Sequence, residues 1–202
     1  MPWRLIALLA LVSAFVLAGS AAGTGGFTRH AVHGQGVSLE VPSSWLVVDS
    51  TFPKEHVDRI SQRNPRFAPY LAQLSQPGSP VKFIALDTAT QNGFATNANV
   101  VVVRVQAGTT FALYRASLVA GLRSIATGPI RQQVVTIGGA HVVRVGYRIR
   151  IDLGRTRTVQ TLQYAFLHGT KSVVVTYTTL PSLAAGYAAT FARSAQSIRF
   201  SS

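Results

Sequence analysis

The sequence predicts an α+β fold, a single domain built on a mostly antiparallel β-sheet with helices packed on it, and three observations carry that expectation. Runs rich in β-branched residues recur, above all "NVVVVRVQ" (99–106), "AHVVRVGYRIRI" (140–151) and "KSVVVTYTTL" (171–180), and such residues suit a pleated, packed surface. Two other stretches change period: Phe111, Tyr114, Leu118, Leu122 and Ile125, then Leu183, Tyr187, Phe191, Ala195 and Ile198, recur at steps of three and four, which is one face of a helix. The last strands follow one another across short turns instead of alternating with helices, so they pair as an antiparallel meander.

The chain opens with a short positive start, Met1 to Arg4, and a run of fourteen apolar or small residues, Leu5 to Ala18. That pattern is a secretory signal, and Ser20 and Ala22 place cleavage after Ala22. Its rival is an uncleaved N-terminal membrane anchor, for which the run falls short of the roughly 20 residues a span needs. The remaining 180 residues fit one domain with one sizeable core. Residues 23–36, with five glycines, read as a flexible lead-in, and the folded domain is expected over 37–200.

Val37, Leu39 and Val41 alternate up to the turn Pro42-Ser43-Ser44, and Trp45 to Val48 resume an apolar run, giving two short strands. Asn64-Pro65 pairs a capping side chain with a residue tolerated at the first helical position, and Phe67, Leu71 and Leu74 follow at helical spacing. After "VKFIALD" (81–87) and the 99–106 strand comes the 111–125 helix, which stops at Gly128-Pro129. Gly138-Gly139 is a two-residue hairpin link, and His168-Gly169-Thr170 makes the next reversal but one. Pro181 opens the closing helix.

Charge is the strongest compositional bias, with 19 Lys+Arg against 6 Asp+Glu. It favours acidic partners, or it reflects an arginine-heavy composition, since only Lys54, Lys82 and Lys171 are lysines. The chain has no cysteine, so neither disulfides nor an N-terminal lipid on cysteine support it.

"YRIRIDLGRTRT" (147–158) gathers Arg148, Arg150, Arg155 and Arg157 around one turn. With a two-residue loop at Leu153-Gly154, Arg150 faces Arg157, Arg148 faces Val159, and Arg144 and Arg148 share the side of Arg150, while Val143, Val145, Tyr147, Ile149 and Ile151 take the core side. Guanidinium forks match carboxylate and phosphate oxygens. Arg144, Arg148, Arg150, Arg155 and Arg157 are therefore the candidate contact for an anionic envelope component, a phospholipid surface or an acidic protein; a solvated strand face fits the same residues. Nucleic acid is not expected, because export removes most targets and no reading motif is present.

No catalytic or metal-binding set emerges. His30 and His33 lie three apart, but flanking glycines oppose a helix and no further ligand completes a site. The six carboxylates are Glu40, Asp49, Glu55, Asp58, Asp87 and Asp152. Glu55 and Asp58 read as the first turn of a short helix, and Asp87 as a turn former. Phosphate-loop, dinucleotide and serine-nucleophile signatures are missing, so no cofactor is expected.

The order of elements resembles the PsbP-like superfamily (PsbP, DcrB and LpqN types). The residues that carry the resemblance are Val41-Pro42 with Trp45, the Phe83-x-Ala85-x-Asp87 strand, Asn97-x-Asn99-Val100, and the closing Ser197-Ile198-Arg199-Phe200. It implies an α/β/α sandwich and a role as a binding or accessory module, not an enzyme. It transfers no site, and the modified cysteine of the lipoprotein members is missing here. The expected function is an exported, non-enzymatic binding or accessory domain at the cell envelope. A secreted hydrolase and a structural stabiliser of a membrane-associated complex are the rivals.

Overall fold

Strands rich in valine on both faces have to be covered on both sides, and that requirement organises the molecule. The computed structural model describes residues 26–63, 78–89, 94–152 and 156–201, together with Ala68, Leu71, Leu74 and Gln76. Its strands are β1 (Phe27–Val32), β2 (Val37–Pro42), β3 (Leu46–Asp49), β4 (Val81–Leu86), β5 (Asn97–Arg104), β6 (Arg131–Ile137), β7 (Ala140–Asp152), β8 (Thr156–His168), β9 (Lys171–Thr179) and β10 (Arg199–Phe200). Its helices are α1 (Lys54–Arg63), α2 (Phe111–Arg123) and α3 (Ala184–Gln196).

A seven-stranded antiparallel sheet of order β3-β4-β5-β9-β8-β7-β6 forms the middle layer, and a three-stranded sheet β1-β2-β10 lies apart from it. One face of the large sheet packs with α1 and α2, through Val57, Tyr114, Leu118 and Leu122 against Ile84, Val143, Val145 and Ile149. The other face packs with α3 and the small sheet, through Tyr187, Phe191, Ala195, Leu39 and Val41 against Phe83, Val100, Phe166 and Tyr177. This is the expected single-domain α+β sandwich.

The meander β6 to β9 follows the sequence expectation, and Gly138 and Gly139 take φ of 56° and 80° at its first reversal, the conformation a two-residue hairpin loop demands. Thr110 caps α2 by accepting from the Leu113 amide at 3.3 Å. That helix ends at Arg123, short of Gly128-Pro129, because Ala126 bridges to Ile149 and the Thr127 amide donates to the Arg148 carbonyl at 2.7 Å. The helix expected after Asn64-Pro65 lies largely outside the described residues; its Leu71 and Leu74 are buried in the first core.

One expectation is corrected. Residues 27–32 are not a flexible lead-in: they form β1, paired along its whole length with β2. Gly34 and Gly36, at φ of 67° and 66°, supply the reversal between the two strands, so these glycines bend a hairpin instead of loosening a linker. The strand is held by Val32 in the second core, by the 2.9 Å Arg29–Glu40 ion pair, and by Arg193 lying 4.0 Å over the Phe27 ring. The two short strands expected around the Pro42 turn are both present and lie in different sheets. β2 belongs to the small sheet and β3 to the edge of the large one, so the turn at Pro42–Trp45 carries the chain between layers.

The first face also holds a polar rung. Thr161 is opposite Thr178, which is opposite Asn97; all three are buried, and the hydroxyls of Thr161 and Thr178 have no hydrogen-bond partner among the described residues. A buried unsatisfied hydroxyl costs about 1–3 kcal/mol. Thr161→Val, which keeps the branched shape, is expected to raise stability by about 1 kcal/mol, read as a higher midpoint in thermal unfolding. A lower midpoint would mean that the hydroxyl is satisfied.

Candidate functional site

Alternation along β7 decides where its arginines go. Val143, Val145, Tyr147, Ile149 and Ile151 join the first core, so Arg144, Arg148 and Arg150 stand on the opposite face, as expected. Arg144 is half-buried and the other two are exposed.

The turn, however, is longer by one residue than the sequence reading assumed. Asp152 pairs with Thr156, Ile151 with Arg157, Arg150 with Thr158 and Arg148 with Gln160, so three residues, not two, separate the last paired positions of β7 and β8. A one-residue slip in register moves a side chain to the other face. Arg157 therefore shares the face of Ile151 and does not meet Arg150, and Arg155 lies outside the described residues. Of the expected cluster, Arg144, Arg148 and Arg150 share one face of β7, and Arg157 lies on the other face of the sheet.

That set acquires a member the sequence reading passed over. Arg131, first residue of β6, is opposite Gly146, the residue between Arg144 and Arg148 on the same face. Arg131, Arg144 and Arg148 line a groove of about 520 Å³ between β6–β7–β8 and α3, with Gln160, Leu162 and Tyr164 from β8 and Ala184, Ala188, Phe191 and Ala192 from the helix. Strand register creates this site: Arg144 is opposite Tyr164, Gly146 opposite Leu162 and Arg148 opposite Gln160.

Neutral partners hold two of the guanidinium groups in place. Arg144 Nε donates to the Tyr164 hydroxyl at 3.2 Å, its guanidinium carbon lying 6.0 Å from that ring's centroid, and Arg148 Nε donates to Gln160 Oε1 at 3.3 Å. Gln160 is fixed in turn by donating to the Tyr147 and Thr161 carbonyls at 2.9 and 3.2 Å. No carboxylate lines the groove among the described residues. Each Nε is engaged by an uncharged group, which orients the fork without neutralising it, and the arrangement can accept an oxyanion.

Asp87 serves structure. Its Oδ1 accepts from the Ala89 amide at 2.9 Å, the turn role expected from sequence, and its Oδ2 accepts from the Tyr187 hydroxyl at 2.5 Å. Burial, and then the adjacent carboxylate, push the Tyr187 phenol above its ordinary range, so this pair ties α3 to the sheet and holds the phenol protonated. His30 lies in β1 with its ring 6.0 Å from that of Phe83, and burial lowers its pKa against an opposing pull from Asp49.

No family model matches the sequence, and no curated protein matches it. Solved structures do match. The cyanobacterial PsbP protein CyanoP from Synechocystis sp. PCC 6803 is similar at a TM-score of 0.54 and 14% identity, over 90% of this chain and 98% of that one. LpqN of Mycobacterium tuberculosis, described as involved in cell envelope biogenesis, gives 0.53 and 14% over 88% and 93%. The Ran-binding protein Mog1p of Saccharomyces cerevisiae gives 0.52 and 8% over 88% and 96%. Nearly end-to-end superposition on these structures, at identities that speak for architecture alone, shows that the chain has the PsbP-like fold.

Proposed function

We propose that the chain is an exported, non-enzymatic binding domain of the cell envelope whose groove holds an anionic group of its ligand. One observation carries the reading: Arg131, Arg144 and Arg148, from two neighbouring strands, line one groove whose described walls hold no carboxylate. Three like charges on one surface repel each other, and an oxyanion among them turns that repulsion into attraction. The groove's polar groups are cations, an amide, hydroxyls and a phenol, a set suited to holding charge. The similarity to LpqN and CyanoP supports an accessory role, and the leader expected over residues 1–22, which lies outside the described residues, supports export.

Calorimetric titration with inorganic phosphate tests the groove. Arg144→Thr with Arg148→Thr is expected to weaken phosphate binding at least tenfold, since a hydrogen bond to a charged group contributes about 1.5–3 kcal/mol. Arg115→Ala with Arg123→Ala removes the same charge from α2 and is expected to leave binding within about twofold, the size of a long-range screened effect. Equal losses in both double variants would reduce the site to net charge and reject it. Export is tested by the mass of the secreted protein: the mature chain is expected to start at Gly23, and a secreted chain that keeps residues 1–22 would contradict this.

A further inference from the structure

The groove has two unlike walls. Arg131, Arg144 and Arg148 form the strand side; Ala184, Ala188 and Phe191 form the helix side, with Leu162 on the floor. The small residues are what leave room. Gly146 sits between two of the arginines and opposite the third, and a β-carbon placed there would meet nothing closer than Leu162 Cδ1 at 4.0 Å. Glycine inside a strand weakens it and marks a place where another group comes close to the backbone. Its φ is not positive, so backbone conformation does not require it. On α3, Ala184 and Ala188 lie one turn apart on the groove side, where larger side chains would close the gap to the sheet.

The geometry points to a single-chain anionic amphiphile as the ligand, its phosphate or carboxylate head among the three arginines and its alkyl chain along Leu162, Phe191 and the alanines of α3. This rests on the anion-binding reading of the same groove and adds the apolar half. The volume of about 520 Å³ falls in the lower half of the range of about 300–1,000 Å³ that small-molecule sites occupy, which suits one chain. Charge and apolar surface are adjacent along one cleft, so a ligand carrying both gains from each at once. A doubly charged hydrophilic ion would leave the helix wall wet, and a neutral alkane would leave the arginines unmet.

Calorimetry with methyl, butyl, hexyl and octyl phosphate, and with octanol, tests the assignment on the full folded domain. Affinity is expected to rise about fourfold for each added methylene, the transfer value for burying one CH₂, and octanol is expected to bind at least tenfold more weakly than octyl phosphate. Ala188→Trp, which fills the helix side of the groove and keeps every arginine, is expected to flatten the chain-length series from methyl to octyl phosphate. Equal affinity for methyl and octyl phosphate overturns the amphiphile and leaves the anion site standing. Failure of every phosphate to bind overturns both. Octanol binding as tightly as octyl phosphate, or an unchanged series in Ala188→Trp, overturns the two-walled groove.

Discussion

Tyr177→Ala is expected to remove about 3–5 kcal/mol of stability, the usual result of truncating a fully buried aromatic side chain, a large share of the total of about 5–15 kcal/mol that a domain has. Tyr177 stands where the central strand β9 meets α3. It is fully buried, its ring stacks on Phe191 at 4.9 Å between centroids and meets Tyr164 edge-on at 6.0 Å, and its hydroxyl donates to Ser194 Oγ at 2.9 Å. Removing it opens a cavity under the helix that walls the groove and frees Tyr164, which positions Arg144. Tyr177→Phe deletes only the hydroxyl and is expected to cost about 1 kcal/mol. Urea unfolding of the two variants measures the difference. Similar midpoints for both would mean that the ring contributes little and that α3 is held elsewhere.

Alkali is expected to unfold the domain cooperatively. Burial pushes the Tyr114 phenol up to about 12, although its hydrogen bond with Ser172 works the other way, and burial also raises Tyr147 and Tyr177. The folded state thus keeps protons that the unfolded state releases near pH 10. The resulting stability is complete below pH 10 and declines as the pH rises through 12, at about 1.4 kcal/mol per pH unit for each such group. Between pH 10 and 12 three such phenols together remove about 8 kcal/mol, comparable to the about 5–15 kcal/mol that a domain holds in reserve. Phenolate absorbance and far-ultraviolet circular dichroism are therefore expected to change in one step between pH 10 and 12. Phenolate absorbance that rises fully while the dichroism stays native would show these tyrosines to be open to solvent.

Much of the architecture was legible because apolar period is a direct image of burial. The valine runs of β5 and β9, the alternation in β7 and the helical stripe through Tyr187, Phe191 and Ala195 all lie in the cores they imply. What failed depended on information that period does not carry. Gly34 and Gly36 look the same in a linker and in a turn, and only the partner strand β2 separates the two cases. The face of Arg157 hinged on one residue of loop length, and "DLGR" fits a two- or a three-residue loop. Arg131 joins Arg144 and Arg148 only through its place opposite Gly146. Gly146 itself was the available signal: a glycine inside an otherwise unbroken strand, flanked by arginines two residues away on each side. Thr161 and Thr178, at positions where alternation anticipates apolar side chains, are buried polar exceptions that sequence period cannot rank.

Residue-resolved NMR during titration with methyl phosphate tests most directly whether the groove is where charge is held. Amide signals of Arg131, Gly146, Arg148 and Leu162 are expected to move together, saturably and with one affinity, while those of Arg115 and Arg123 on α2 stay in place. Shifts spread evenly over the basic surface, or centred on α2, would contradict a site built by the register of β6, β7 and β8.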